Sequence, residues 1–428
     1  MSSTTHRNRP ELLAPAGTME KLICAVRFGA DAVYMGGPAF GLRNMAGNFS
    51  LEQMPEALEF CHQHHVRCFL TINSYPPNNR LPELEAYLHA LAPLPFDAYI
   101  VSDPGVIRMV RRISPDREIH LSTQANTINY ESALFWQEQG IARVNLAREM
   151  TLSDIQSTIK QVDIPCEVFS HGALCIAYSG RCLLSSAMTD RSANLGECTQ
   201  PCRWEYTLVE KTRPDQSFPI EEDHDGTYIF NSRDLCLLEQ LPALIDAGVA
   251  SLKIEGRMKG VHYLASVIRI YRAAIDRYCA DPSAYQPDPE WFEELDTISN
   301  RGYTTGFLFG NPRDVGQTYH AGYQRTHQLV AVIEELLPDN LALVAVRNRF
   351  STGETVTLIG PLMRNAAFTV GSLTVCRADG NQQEQETVHP NMKVLMTVPP
   401  GSAPGDLIRR ESVTAVEPQS EAQCSCCS

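Results

Sequence analysis

The chain has 428 residues, 43 % of them hydrophobic, and a formal net charge of −14. That length suits one large domain with a smaller companion. No apolar run is long enough to cross a membrane and Met1–Pro10 lacks the apolar core of a secretory signal, so a cytoplasmic protein with no membrane partner is expected. The acidic balance argues against nucleic-acid binding unless basic residues gather on one face.

Residues 1–10 are polar and expected to be disordered. From Glu11 onward, strand-like apolar runs alternate with amphipathic stretches. Strands are expected at Glu11–Ala14, Ala32–Gly36, Arg67–Asn73, Ala98–Ser102, Ile119–Thr123, Arg143–Ala147, Cys166–Ser170 and Ser251–Glu255. Helices are expected at Thr18–Phe28, Leu51–His64, Leu81–Leu91, Ser132–Gln139, Leu152–Gln161, Asp234–Ala247 and Tyr263–Tyr278. Thr18 has the chemistry of an N-cap, and Gly29, Gly140 and Gly248 stand where helices stop. This alternation predicts an α/β fold, a (β/α)8 TIM-like barrel over 11–320, with a doubly wound open sheet as the alternative. An irregular, cysteine-rich insertion, 172–226, follows the seventh strand. Beyond it the pattern becomes alternating, at Gln328–Glu334, Leu341–Val346, Thr355–Ile359 and Val394–Val398, which predicts a small β-barrel domain over 321–416. Residues 417–428 read as a disordered tail carrying Cys424, Cys426 and Cys427.

Barrel enzymes place their chemistry where the strands end. Polar residues follow the expected strands: Asn73, Asp103, Gln124 with Asn126, Arg148-Glu149, Ser170-His171 and Glu255-Gly256-Arg257. Three basic clusters stand out, at Arg108, Arg111, Arg112 and Arg117, at Arg347 and Arg349, and at Arg409 and Arg410; each reads first as a solvated face.

The 14 cysteines are too many to ignore and, in a chain expected inside the cell, do not read as a disulfide framework. Cys24, Cys61, Cys68, Cys166, Cys236, Cys279 and Cys376 are scattered among apolar residues and suit the core. Cys175, Cys182, Cys198 and Cys202 are grouped in the insertion as C-x6-C-x15-C-x3-C. Four thiolates suit tetrahedral zinc or an iron–sulfur cluster, and spacing leaves both open. The wide first gap is easier to fit around the bulkier cluster. A Cys175/His171 nucleophile pair is a further reading, with no protease motif beside it. The run His62-Gln-His64-His65 reads as exposed.

Several stretches taken together resemble one family. They are Glu11-Leu-Leu-Ala-Pro-Ala-Gly17, Gly29-Ala-Asp-Ala-Val-Tyr34, Ser102-Asp-Pro-Gly105, His120-Leu-Ser-Thr-Gln-Ala-Asn126, His171-Gly-Ala-Leu-Cys175, Tyr178-Ser-Gly-Arg-Cys182, Cys202-Arg-Trp-Glu-Tyr206 and Ser251-Leu-Lys-Ile-Glu-Gly-Arg257. This combination resembles the U32 peptidase-like family from Glu11 to about Arg410, and within it the branch acting on tRNA. The resemblance implies a [4Fe–4S] cluster on Cys175, Cys182, Cys198 and Cys202. It also implies oxygen-independent hydroxylation of wobble uridine 34 to 5-hydroxyuridine, with prephenate as hydroxyl donor and the tRNA anticodon loop as partner. The family also implies alternatives: a collagenase-like peptidase, or a hydroxylase of an rRNA cytidine or a ubiquinone precursor. Prephenate carries two carboxylates, which Arg matches bidentately. Arg148 and Arg257 are therefore candidate catalytic residues, with His171 as acid–base group or outer donor to the cluster. Arg43, Arg181, Arg203, Asp103, Gln124, Asn126 and Glu255 are candidate substrate contacts.

Overall fold

A computed structural model of the protein describes residues 9–42, 47–174, 184–199, 201, 208–209, 217–218, 221–223, 226–228, 233–310, 325–376 and 381–412. The chain divides into two compact units. The first takes residues to Leu295, Asn300–Gly322 and Gly360–Arg364; the second takes Asp296–Ser299, Tyr323–Ile359 and Asn365 onward.

The first unit begins with β1 (Glu11–Ala16), α1 (Met19–Arg27), β2 (Ala32–Gly36), α2 (Met54–Gln63), β3 (Arg67–Ile72), α3 (Leu81–Leu91) and β4 (Ala98–Val101). It continues through α4 (Pro104–Ile113), β5 (Glu118–Leu121), α5 (Tyr130–Glu138), β6 (Arg143–Asn145), α6 (Leu152–Gln161) and β7 (Cys166–Ala173). The insertion contributes α7 (Leu184–Thr189) and two short antiparallel ladders, β8 (Leu208–Val209) with β9 (Ser217–Phe218) and β10 (Glu221–Asp223) with β11 (Gly226–Tyr228). Then come β12 (Asp234–Cys236), α8 (Leu241–Asp246), β13 (Ser251–Ile254), α9 (Val261–Ala280), α10 (Pro289–Thr297) and β14 (Tyr303–Thr304).

Strands β1 to β7 lie side by side in chain order and in parallel, and β13 pairs with both β1 and β7. Eight parallel strands thus close into a barrel. The closure explains why the strands read as continuous apolar runs: β2, β4 and β13 are buried at every residue, because helices cover one face and the barrel interior the other. Leu13, Ala32, Tyr34, Phe69, Ala98 and Ile100 fill the interior as one cluster.

Two elements differ from expectation. Asp234–Ala247 is not one helix. Its first residues form β12, antiparallel to β7, and Pro242 sits in the first turn of the short α8. Helix α4 was not expected, because Ser-Asp-Pro-Gly reads as a turn. Instead Asp103 caps it by accepting from the Val106 amide at 3.0 Å, and Pro104 occupies the first helical turn, where no amide donor is needed.

The second unit holds β15 (His327–Leu336), β16 (Leu341–Val346), β17 (Phe350–Ser351), β18 (Thr355–Ile359), β19 (Asn365–Thr369), β20 (Leu373–Cys376), β21 (Gln382–Gln385), β22 (Thr387–Val388), β23 (Lys393–Thr397) and β24 (Leu407–Glu411). Eight of them form one antiparallel sheet in the order β19, β18, β24, β15, β16, β23, β20, β21, while β17 and β22 pair separately. Val330, Val344, Phe350, Leu358, Leu373, Val394, Met396 and Ile408 form its core. Among the described residues, no helix is long and apolar enough to cross a membrane.

Candidate active site

Where the barrel strands end there is a small, partly open pocket with a volume of about 50 Å³. Strands β2 to β7 and β13, or the loops directly after them, all reach it: Tyr34, Thr71, Asn73, Ile100, Ser122, Gln124, Asn145, Arg148, Phe169, Lys253, Glu255 and Arg257. Its character is cationic and amide-rich. Among the described residues, three cations face one carboxylate, and no histidine or cysteine lines the pocket.

Arg148 follows β6. Its guanidinium carbon stacks 3.8 Å from the Phe169 ring centroid, which fixes the plane of the fork. Its charge partner is Glu255, with Nη2 3.8 Å from Oε2. That is too long for a hydrogen bond, so the pair attracts without using the fork's bidentate geometry. Glu149 leaves Oε2 buried with no hydrogen-bond partner.

Arg257 is almost fully buried. It donates from Nη1 to Thr71 Oγ1 at 3.2 Å and from Nη2 to Asn48 Oδ1 at 2.5 Å. Gly36, the last residue of β2, makes room for it: a Cβ there would stand 2.4 Å from Nη2. The glycine is thus required by the close approach of the guanidinium.

Beneath the pocket lies a charged layer inside the barrel. Glu167 on β7 receives Lys253 Nζ at 2.9 Å and Asn145 Nδ2 at 2.9 Å on Oε1, and Arg143 Nη1 at 3.2 Å on Oε2. Arg143 also donates to Glu11. Burial alone would raise the Glu167 carboxyl, but Lys253 and Arg143 beside it hold it down at about 2.

His171 lies elsewhere. Between Lys253 and Ile254 the β7/β13 register slips by a residue, a bulge at Ser170. A bulge re-aims the side chains after it. His171 therefore leaves the pocket side and packs among Tyr263, Tyr271 and Tyr303, at ring centroid distances of 5.9, 5.6 and 5.5 Å. It is 1 % exposed, and neither ring nitrogen has a hydrogen-bond partner among the described residues. Burial pushes its pKa down to about 4, against the pull of Asp234. The expected place of His171 at the pocket is thus corrected. Next to it, Gly172 has φ +109°, and a Cβ there would stand 2.4 Å from the Glu255 carbonyl oxygen.

Of the other candidates, Gln124 and Glu255 line the pocket with Arg148 and Arg257. Asp103 does not line it; its carboxylate is engaged in capping α4. Asn126 does not line it either, and ends the 3-10 turn Thr123–Ala125 with φ 57°. Arg43, Arg181, Arg203, Cys175, Cys182 and Cys202 lie outside the described residues, as does the tail with its three cysteines. Cys198 is half-buried and forms no disulfide; beside it the Thr199 amide donates to Ser185 Oγ at 3.1 Å. Sequence reading placed Asn73 at a strand end without assigning it a contact, and missed Asn145, Phe169 and Lys253. A lysine inside an apolar barrel strand was the available signal.

Part of each of two basic clusters is engaged within the protein, while Arg108, Arg347 and Arg349 are exposed. Arg111 donates to the Gln139 carbonyl, Arg112 pairs with Glu85 at 2.8 Å, and Arg117 donates to the Leu94 carbonyl at 2.7 Å. In the second unit Arg410 pairs with Glu354 at 2.5 Å, and Arg409 is buried against Thr297.

The chain is 40 % identical to tRNA hydroxylation protein P1 of Bacillus subtilis (strain 168), over 94 % of this chain and 95 % of that protein. It is 38 % identical to tRNA hydroxylation protein P of Escherichia coli (strain K12), over 85 % and 88 %. A third relative, the 23S rRNA 5-hydroxycytidine C2501 synthase of Escherichia coli (strain K12), is 35 % identical over 73 % of this chain but only 47 % of its own length. Residues 17–318 match the model of peptidase family U32 and residues 325–409 that of its C-terminal domain, and the chain belongs to that family.

Proposed function

We propose that this protein modifies tRNA, hydroxylating C5 of wobble uridine 34 with prephenate as hydroxyl donor and a [4Fe–4S] cluster on Cys175, Cys182, Cys198 and Cys202. The carrying observation is the match, end to end, to relatives named tRNA hydroxylation proteins. The pocket supports the co-substrate. Arg148, with its fork stacked and not hydrogen-bonded to Glu255, and Arg257, held in the wall by Thr71 and Asn48, suit a small molecule bearing carboxylates. Asn73, Gln124 and Asn145 add amides that can orient neutral oxygens.

The cluster reading is supported by the donor set and by His171. Four thiols in one insertion are a complete ligand set. A fully buried histidine whose two ring nitrogens lack partners stands four residues before the first of them. Such an orphan is expected where a neighbouring group completes the shell. When bound, the cluster would supply one-electron chemistry. The chain's own residues do the remainder: Arg148 and Arg257 bind and orient the acid, Phe169 and Tyr34 exclude water, and the anticodon base enters splayed out of its loop.

The pocket does not favour a peptidase. Among the described residues it is lined by neither cysteine nor histidine, and His171 faces a tyrosine cage.

The test is nucleoside mass spectrometry of tRNA from a strain lacking every route to 5-hydroxyuridine, complemented with this chain. Wild type should restore the wobble derivatives. Arg148→Ala and Arg257→Ala should retain the cluster absorbance but not the modification. Unmodified tRNA with the wild-type chain would remove the proposal.

A further inference from the structure

Lys253 is 4 % exposed, on the third position of β13, and its ammonium forms part of the pocket floor. Glu167 accepts one of its three protons at 2.9 Å. The Tyr34 and Phe169 rings flank the nitrogen, with centroids at 4.6 and 5.4 Å. Those faces attract the charge but take no conventional hydrogen bond. Among the described residues the ammonium makes no other hydrogen bond. Glu167 itself is held on both oxygens, by Asn145 and Arg143, so it is not free to swing away from the ammonium. The floor therefore presents a fixed cation with donors to spare. Arg148 presents a second at the rim, against the same Phe169 ring.

We propose that Lys253 is a ligand-contacting residue of this site, the floor anchor for one carboxylate of a small dicarboxylate whose other carboxylate is taken by the Arg148 fork. The proposal rests on the co-substrate reading above and adds the residue that selects for two acidic groups. Both cations approach one ring, which places them within reach of a single small dianion. Because Glu167 already engages the nitrogen, the contact is ionic and not covalent.

The test uses cluster-loaded full chain and measures binding calorimetrically, with prephenate and with the monocarboxylate phenylpyruvate as probes. Wild type should bind prephenate at least tenfold more tightly than phenylpyruvate. Lys253→Gln combined with Glu167→Gln, neutral at both positions, should lose roughly ten- to a hundredfold in prephenate affinity, and Lys253→Arg should recover most of it. Equal binding of the two acids by wild type overturns the proposal whether or not the variants fold. So does a folded neutral variant that binds prephenate within twofold of wild type. An adduct on Lys253 after borohydride treatment with prephenate would also overturn it, by showing an imine. If wild type binds neither acid, the co-substrate reading itself has failed, and this inference fails with it.

Discussion

Replacing His171 by Phe separates two contributions of one buried ring. Its folded pKa of about 4 lies below the ordinary 6.5, because burial disfavours the charged form. The unfolded chain therefore binds more protons between these values, and stability rises with pH across that window. The contribution is complete above about pH 6.5 and is lost as pH falls towards 4. From pH 7.5 to pH 5 the loss should be about 2 kcal/mol, and roughly 3 kcal/mol if acidified fully through the window. Phenylalanine preserves contact with Tyr263, Tyr271 and Tyr303 and removes two unpartnered nitrogens. His171→Phe should then be at least as stable as wild type at pH 7.5, and more stable by about 2 kcal/mol at pH 5. The assay is anaerobic urea unfolding of both proteins at the two pH values, each with its cluster content measured. Parallel pH slopes in the two proteins would refute the reasoning. A shifted cluster reduction potential in His171→Phe would add the outer-donor role; loss of the slope alone would leave His171 a packing residue.

Glu167→Ala should cost about 3–5 kcal/mol, since Lys253 and Arg143 would remain buried without their shared carboxylate; thermal unfolding against Glu167→Gln, a milder change, checks this. Gly36→Ala should cut turnover at least tenfold, because the new Cβ would stand 2.4 Å from Arg257 Nη2 and 2.6 Å from Asn48 Oδ1 and must displace that bonded pair; equal turnover in protein shown by thermal melting to be folded would show that Arg257 tolerates movement. In the second unit, Leu358→Ala should lower stability by about 2–5 kcal/mol, read as a shift of its own unfolding transition, with the pocket's prephenate affinity unchanged.

The barrel was readable because each strand is buried on both faces, and unbroken runs such as Ala32–Gly36 leave little choice of element. The second unit was readable only in its most apolar strands. Gln382–Gln385 has three exposed residues and carries no alternating signal, although it pairs fully with Leu373–Cys376. Arg148, Gln124, Glu255 and Arg257 could be placed by the rule that strand ends carry chemistry. Lys253 offered a signal, a charge inside an apolar run, but one that makes sense only once Glu167 is known to meet it from the adjacent strand β7. His171 was misplaced for a local reason. Strict alternation carries Glu167 and Phe169 inward and would carry His171 with them, and the slip at Ser170 is invisible in sequence.

Strand β7 has one more consequence. It is eight residues long, where its neighbour β6 has three, and it continues past the pocket towards Cys175. Phe169 is on its inner side, and the His171 carbonyl accepts the Glu255 amide at 2.8 Å. One strand, bulged at Ser170, thus bears both the wall on which Arg148 rests and the root of the cysteine segment. Tension or slack at the root is felt at the wall. Hydrogen exchange at the Glu255 amide should therefore report on the state of the insertion from inside the barrel rim, faster in protein stripped of metal than in protein as isolated.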